Sequence, residues 1–274
     1  MTAIGLGLVP VTSDPGTLLA LHDVAGELEA ILGGSIDVRV ARSPEALEED
    51  FTRGVTQLVW SSPALALSSP KMREAVPLVC SVREGVAYYH SVLVVRRGSP
   101  ITSPLQLRGT RAAWVAPTSA SGYIFPRIAL AGHGVDPTSL FLREEFLGAH
   151  GDVVDAVRSG TADVGATFAV FERGDASRPL VRAGHHDVEG GKDELRVLLA
   201  TPPIPADLFL ATRALFDAHG PLVARALEEL PRRVPRALLT AFGAEGLVPT
   251  SERELGELRR QLADARAMGI WGGP

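Results

Sequence analysis

Three side-chain hydroxyls, those of Thr118, Ser119 and Ser121, crowd in just ahead of a run through Ile128, Ala129 and Leu130 that reads as a helix ending at Gly132. An apolar strand over 111–116 precedes them, so they fall where the first N–H groups of a helix have no intrahelical partner. Free N–H donors, the positive end of a helix dipole and several hydroxyls favour a bound anion, and no carboxylate stands among them. Ala120 and Gly122 complete the turn, and Gly122 would leave room for a ligand to approach the backbone. A lone serine here is an ordinary helix cap; the density of hydroxyls is what points to a ligand. Pro126 removes a helical hydrogen bond and predicts a distorted first turn.

A second candidate is His150, which opens a helix carrying Val153, Val154 and Val157, with Gly160 past its end. Residue type alone leaves a capping or surface histidine equally open. The pair His185 and His186, with Asp187 and Glu189, invites a metal reading. No third ligand at helical spacing accompanies it, so a solvated loop is expected and no metal is assigned. Gly5 and Gly7 form part of a dinucleotide fingerprint, but Pro10 takes the place of the third glycine and Gly5 lies inside a strand. There is no phosphate-binding P-loop, no nucleophile elbow, no zinc-protease helix and no base–nucleophile pair. Neither catalytic residues nor a cofactor are expected.

Bulk properties narrow the class further. The chain has 274 residues, a net charge of −5 and 46% hydrophobic residues, enough for one large domain or two ordinary ones. Its basic pairs are scattered, which argues against nucleic acid. Cys80 is the only cysteine and lies in an apolar run, as a buried, inert thiol would. No apolar run is long enough to span a bilayer, and the first residues carry no signal-peptide pattern. A cytoplasmic protein is expected, or an extracytoplasmic one whose leader has been removed.

The elements that position these residues alternate. Short strands are expected at 4–9, 36–40 and 57–60, each followed by a helix; Ser43 and Pro44 start one of them. From Val76 two β-rich runs, 76–82 and 88–95, interrupt the alternation. A second α/β unit follows, with strands at 111–116, 140–146 and 163–168. Residues 172–193 read as a polar loop, and 195–199 as a strand. The remainder is helical, closing with a capping box of Ser251 and Glu254 before Leu255, Leu258, Leu262 and Ala265. Strand–helix alternation predicts an α/β fold with largely parallel sheets, whose ligands sit beyond the carboxyl ends of the strands.

Four stretches, taken in order, resemble the phosphate-, phosphite- and phosphonate-binding proteins of ABC importers: residues 88–95, 117–123, His150 through Phe168, and 202–207. The resemblance implies the two-lobed type II periplasmic-binding-protein fold, each lobe a central mixed sheet flanked by helices, with the ligand cleft between the lobes. It divides the chain into 1–95 plus 205–274 and 96–204. It implies an oxyanion site at Ser119, Ser121 and the amides of 120–122, with Ala120 where many members carry another hydroxyl, and it makes His150 a ligand-binding histidine. From the other lobe it brings the aromatics Tyr89, less surely Tyr88, and Trp60; Tyr89 or Trp60 could be a core aromatic, and for Trp60 the two readings stand level. Asp207 matches a carboxylate that meets the ammonium of an aminophosphonate. A second carboxylate is missing, since Ala169 and Val170 occupy its place and Glu172 is a loose candidate. That leaves phosphate, phosphite or a small alkylphosphonate. The expected protein is a monomeric solute-binding protein that performs no chemistry and partners an ABC permease. A cytosolic enzyme of the same fold, resembling menaquinone- or thiamine-pathway proteins, and a ligand sensor stay open.

Overall fold

The computed structural model describes residues 3–9, 15–72, 74–250 and 252–272. Pro10, the polar turn at Thr12, Ser13 and Asp14, and the capping box at Ser251 and the Glu254 side chain lie outside the described residues. The chain forms two compact units, Met1–Ala87 with Pro205–Arg259, and Tyr88–Ile204 with Arg260–Pro274.

The first unit opens with β1 (Ile4–Leu8), α1 (Pro15–Leu32), β2 (Ile36–Val40), α2 (Pro44–Thr52), β3 (Leu58–Ser61), α3 (Pro63–Ser68) and β4 (Val76–Val82). Every residue of β1 is buried, as for a strand covered on both faces. Its glycines serve packing: a Cβ on Gly5 would lie 2.2 Å from the Val55 carbonyl oxygen, and one on Gly7 would collide with Leu47 and Thr56. α1 buries Ala20, Leu21, Val24, Ala25, Leu28 and Leu32, one stripe of a 3.6-residue period. Ser43 caps α2 by accepting from the Ala46 N–H, and Pro44 fills the position where a missing N–H costs nothing.

The second unit holds β5 (Tyr88–Arg96), β6 (Arg111–Trp114), α4 (Phe125–Gly132), β7 (Arg143–Phe146), α5 (His150–Ser159), β8 (Val164–Phe171), β9 (Leu180–Ala183), α6 (Gly191–Glu194) and β10 (Leu195–Ala200), with β11 (Ile204–Pro205) on the return. The chain then completes the first unit with β12 (Leu208–Ala211), α7 (Arg213–Arg233), α8 (Pro235–Phe242) and β13 (Gly246–Pro249), and ends in α9 (Glu252–Ala267).

Each unit is built on a mixed sheet. The first runs β13-β4-β12-β3-β1-β2, with β2, β1 and β3 parallel and the rest antiparallel. The second runs β10-β5-β8-β6-β7, with β11 on β5 and β9 on β8; β7, β6 and β8 are parallel. Alternation along β6 sends Ala113 and Val115 toward the α5 valines and Ala112 and Trp114 toward Leu130 of α4. α5 comes close to the sheet at Gly165, where a Cβ would meet Val153 at 2.6 Å.

Four sequence expectations change. The unit boundary falls at Ala87/Tyr88 rather than after residue 95, because β5 pairs from His90 to Arg96 with β8 and β10, both of the second unit. For a related reason 260–274 group with the second unit: Ile270 and Trp271 are buried, and the Ile270 carbonyl accepts from Arg127 on α4. Residues 172–193 are not a plain loop. They contribute β9 and α6, and His185 is only 3% exposed. The strand expected at 140–146 is confined to β7, and Leu255, Leu258, Leu262 and Ala265 are buried on α9 as expected.

Candidate functional site

The hydroxyl turn leaves the carboxyl end of β6 as a π-helical turn over Ala120–Ile124 that runs straight into α4. Pro126 explains the widening. It has no N–H, so neither the Gly122 carbonyl (four residues back) nor the Ser121 carbonyl (five back) receives a helical hydrogen bond from it. Both find other donors. The Val115 N–H reaches the Gly122 oxygen at 3.2 Å, and the Ser91 hydroxyl on β5 reaches the Ser121 oxygen at 2.6 Å. The remaining bonds run five residues back, from Ile124 N–H to Ser119 O and from Phe125 N–H to Ala120 O. π-Turns inside helices are frequent at functional sites.

The turn's donors are accounted for one by one. Ser119 is the cap, its hydroxyl accepting from the Gly122 N–H at 3.1 Å. The N–H groups of Ala120 and Ser121 donate to no described group, and the Ser121 hydroxyl has no described partner although the residue is only 6% exposed. Thr118 is exposed. Gly122 has a packing purpose: a Cβ there would sit 2.4 Å from Val115 Cγ2, so glycine makes room for Val115.

His150 is the first residue of α5, which follows β7, the parallel neighbour of β6. Leu147 and Gly148 donate to the carbonyls of Trp114 and Val115, which carries the strand alignment up to both helix starts. Val153 is the first α5 amide bonded back, so the N–H groups of His150, Gly151 and Asp152 are free of described partners. The ring lies edge-on to Phe168, with Nδ1 3.1 Å from the hydroxyl of Thr167, a fully buried β8 residue. Burial pushes the imidazole below its ordinary pKa, and the Asp187 carboxylate opposes that only in part. A neutral ring that accepts the Thr167 proton at Nδ1 keeps its own at Nε2, as a donor.

A frame of polar groups around the buried Arg127 holds this end of the second unit. Arg127, 4% exposed, donates through Nε to the Ile270 carbonyl at 2.7 Å and through Nη1 to Glu144 at 2.5 Å. The same Glu144 oxygen accepts from Trp114 Nε1 at 2.7 Å. Tyr123 packs on Trp114 and Phe146 and under the Arg127 guanidinium, and its burial raises the phenol pKa. Sequence reasoning missed Arg127, Glu144, Thr167 and Ser91. Only the placement of Arg127 among Ile124, Ile128 and Leu130 carried a local hint.

The other expected residues fall differently. Tyr89 belongs to the same unit as the hydroxyl turn, not to the other one. Trp60 belongs to the first unit's core, 5% exposed, with its ring edge-on to Phe242 at 5.4 Å and Nε1 3.4 Å from the Ser81 hydroxyl. Its placement is that of a core aromatic. Asp207, half-buried, accepts from Arg83 Nη2 at 2.5 Å, so its charge is already matched. Ala169 and Val170 are buried on β8, and Glu172 is exposed. His185 is buried with Nδ1 lacking a partner, and its pKa is lowered to about 4 by burial and by the neighbouring cationic groups His186 and Arg97. It is not the solvated residue expected. Among the described residues no three His, Cys, Asp or Glu side chains gather as a metal site.

Two α/β units with mixed sheets, and helix N-termini at the carboxyl end of one of them, make up the fold of type II periplasmic binding proteins. The chain belongs to the ABC transporter phosphonate periplasmic substrate-binding protein family, whose model matches residues 6–255. That is a family of substrate-binding proteins, not of enzymes, and its periplasmic setting answers to the second of the two locations open from the sequence. Among solved structures, the fold is similar to a Xanthomonas citri protein bound to ATP (TM-score 0.78, 22% identity, covering 98% of this chain and 100% of that one). It is also similar to PhnD1 from Prochlorococcus marinus in complex with methylphosphonate (0.65, 16% identity, 98% of each chain). A third likeness is the aliphatic sulphonate binding protein SsuA of Escherichia coli (0.61, 16% identity, 97% of this chain and 86% of that one). No helix among the described residues is long and apolar enough to cross a membrane.

Proposed function

We propose that the protein captures a small tetrahedral oxyanion, a phosphate, phosphite or alkylphosphonate, at the start of α4 and α5, and delivers it to an ABC permease outside the cytosol. The observation that carries this reading is the Ser121 hydroxyl, on a residue only 6% exposed and without a described partner, beside free first-turn amides at the head of α4. Such a hydroxyl and the amides beside it are donors left available to an oxyanion. His150 supports it from the neighbouring helix start as a neutral donor, and Thr118, Ser119 and Tyr89 lie in the same unit. Asp152, in the first turn of α5, opposes a second negative charge.

The carboxylates favour a ligand without an ammonium group. Asp207 is matched by Arg83, and buried aliphatic residues stand at 169 and 170. Calorimetry against phosphate, phosphite, methylphosphonate, methanesulfonate and 2-aminoethylphosphonate tests the assignment. Methylphosphonate or an inorganic phosphorus oxyanion should bind more tightly than 2-aminoethylphosphonate; flat titrations for all five reject the reading. A hydrogen bond to a charged group contributes about 1.5–3 kcal/mol, so Ser121→Ala should weaken binding by roughly one to two decades. Unchanged affinity in that variant removes the turn from the site.

A further inference from the structure

β7 is an edge strand whose own sequence is complementary to a second copy of itself. It pairs with β6 on one side and with no other strand among the described residues. An edge strand offers unpaired N–H and C=O groups to another chain, and exposed apolar side chains on it add to the attraction. Leu142 is 77% exposed and Phe146 45%, while Arg143 and Glu145 form an ion pair with each other on the open surface. Alternation puts Leu142, Glu144 and Phe146 on one face and Arg143 and Glu145 on the other.

In an antiparallel pair, residues directly opposite both point their backbone groups inward or both outward. Two copies of one strand can therefore pair in register only about a residue as centre, which leaves three arrangements about the middle of β7. Centred on Arg143, the pairing sets Arg143 against Arg143 of the second copy and Leu142 against its Glu144. Centred on Glu145, it sets Glu145 against Glu145 and Glu144 against Phe146. Centred on Glu144, it sets Arg143 against Glu145 twice on one face and Leu142 against Phe146 twice on the other. Like charges directly opposite destabilise a sheet, and opposite charges and apolar pairs stabilise it. The cost of the third arrangement is one Glu144–Glu144 approach, and each of those carboxylates is already bonded to its own Arg127 and Trp114.

We propose that two copies of the chain associate through β7, antiparallel and centred on Glu144, into a symmetric dimer with a continuous sheet. This differs from the monomer expected from the sequence and does not depend on the ligand. Two four-residue strands and their flanks cover less than a standard interface of about 1,600 Å², so association is weak and concentration-dependent.

Sedimentation of the full chain from about 1 µM to about 500 µM is the test, a range that brackets weak complexes of this size. The wild type should shift from monomer toward dimer across that range. Arg143→Glu, which sets glutamates opposite each other twice, should abolish the shift, and the exchange Arg143→Glu with Glu145→Arg should restore it. Raised salt should weaken the wild-type dimer. A monomer at every concentration overturns the proposal. So does a dimer that survives Arg143→Glu, since it must use another surface.

Discussion

Gly122→Ala separates two accounts of the hydroxyl turn. In one, the glycine leaves room for a ligand; in the other, it leaves room for Val115. The added Cβ would lie 2.4 Å from Val115 Cγ2, 2.5 Å from its Cβ and 2.7 Å from the Ser119 hydroxyl. Carbon pairs rest near 3.5–4.0 Å, so the overlap is roughly 1 Å and falls on the short, branched Val115 side chain just past β6 rather than on a flexible tip. Relief requires the turn to move off β6, and that breaks the Val115 N–H bond that satisfies the Gly122 carbonyl. Overpacking of this kind costs about 1–3 kcal/mol, and the lost bond about 0.5–1.5 kcal/mol. The expected destabilisation is about 2–4 kcal/mol. Hydrogen exchange at the Ile124 and Phe125 amides, alongside urea unfolding, reads it where it arises. In a Val115→Ala background the same substitution should cost less, although only in part, because Cβ itself is one of the clashing atoms. A Gly122→Ala protein that unfolds like the wild type but loses oxyanion affinity would refute the packing account and reinstate the ligand one.

Arg127→Met should lower the melting temperature by leaving Glu144 without its cation and the Ile270 carbonyl without a donor; breaking a buried pair costs about 3–5 kcal/mol, less here because Glu144 is partly open to solvent. Arg127→Met combined with Glu144→Leu should recover much of that loss in differential scanning calorimetry, and a double variant no better than the single one would contradict it. Stability should also fall with pH through the buried histidines. The pKa of His185 is depressed to about 4 when folded, so its contribution is complete above the ordinary histidine value near 6.5 and is lost as pH falls from there to about 4. His150 and His186 are shifted in the same direction. About 2–4 kcal/mol is at stake for His185 alone. Urea midpoints at pH 7 and pH 4.5 check this, and His185→Phe should flatten the difference.

Much of this was legible because it is local. Alternating apolar runs mark the strands, Ser43 with Pro44 marks a helix start, and the crowd of hydroxyls with His150 marks two helix N-termini, all within a few residues of the feature they announce. What escaped depends on partners far along the chain. Residues 88–95 read as the end of the first unit until β5 is seen paired with β8 and β10. Arg127 has no role in the sequence until Glu144, 17 residues on, and Ile270, 143 residues on, are seen beside it. His185 sits in a polar stretch, and only the closeness of Gly184 to Thr167 and of Gly191 to the His185 carbonyl explains its burial. Trp60 is the converse case: an aromatic at a strand's carboxyl end suits a binding surface and a core equally, and its contacts with Phe242 and Ser81 place it in the core.

The proline at the start of α4 also decides which way the rest of that helix faces. Each residue of an α-helix advances the side chains by about 100°, so the one extra residue held in the wide turn rotates everything downstream by that amount. Arg127 meets Glu144, and Leu130 meets the sheet, in that rotated phase. Substituting Pro126 by alanine would hand the missing donor back and let a regular turn compete, with Arg127 swung away from its carboxylate. A residue that reads as a defect in the helix thus sets its angular alignment.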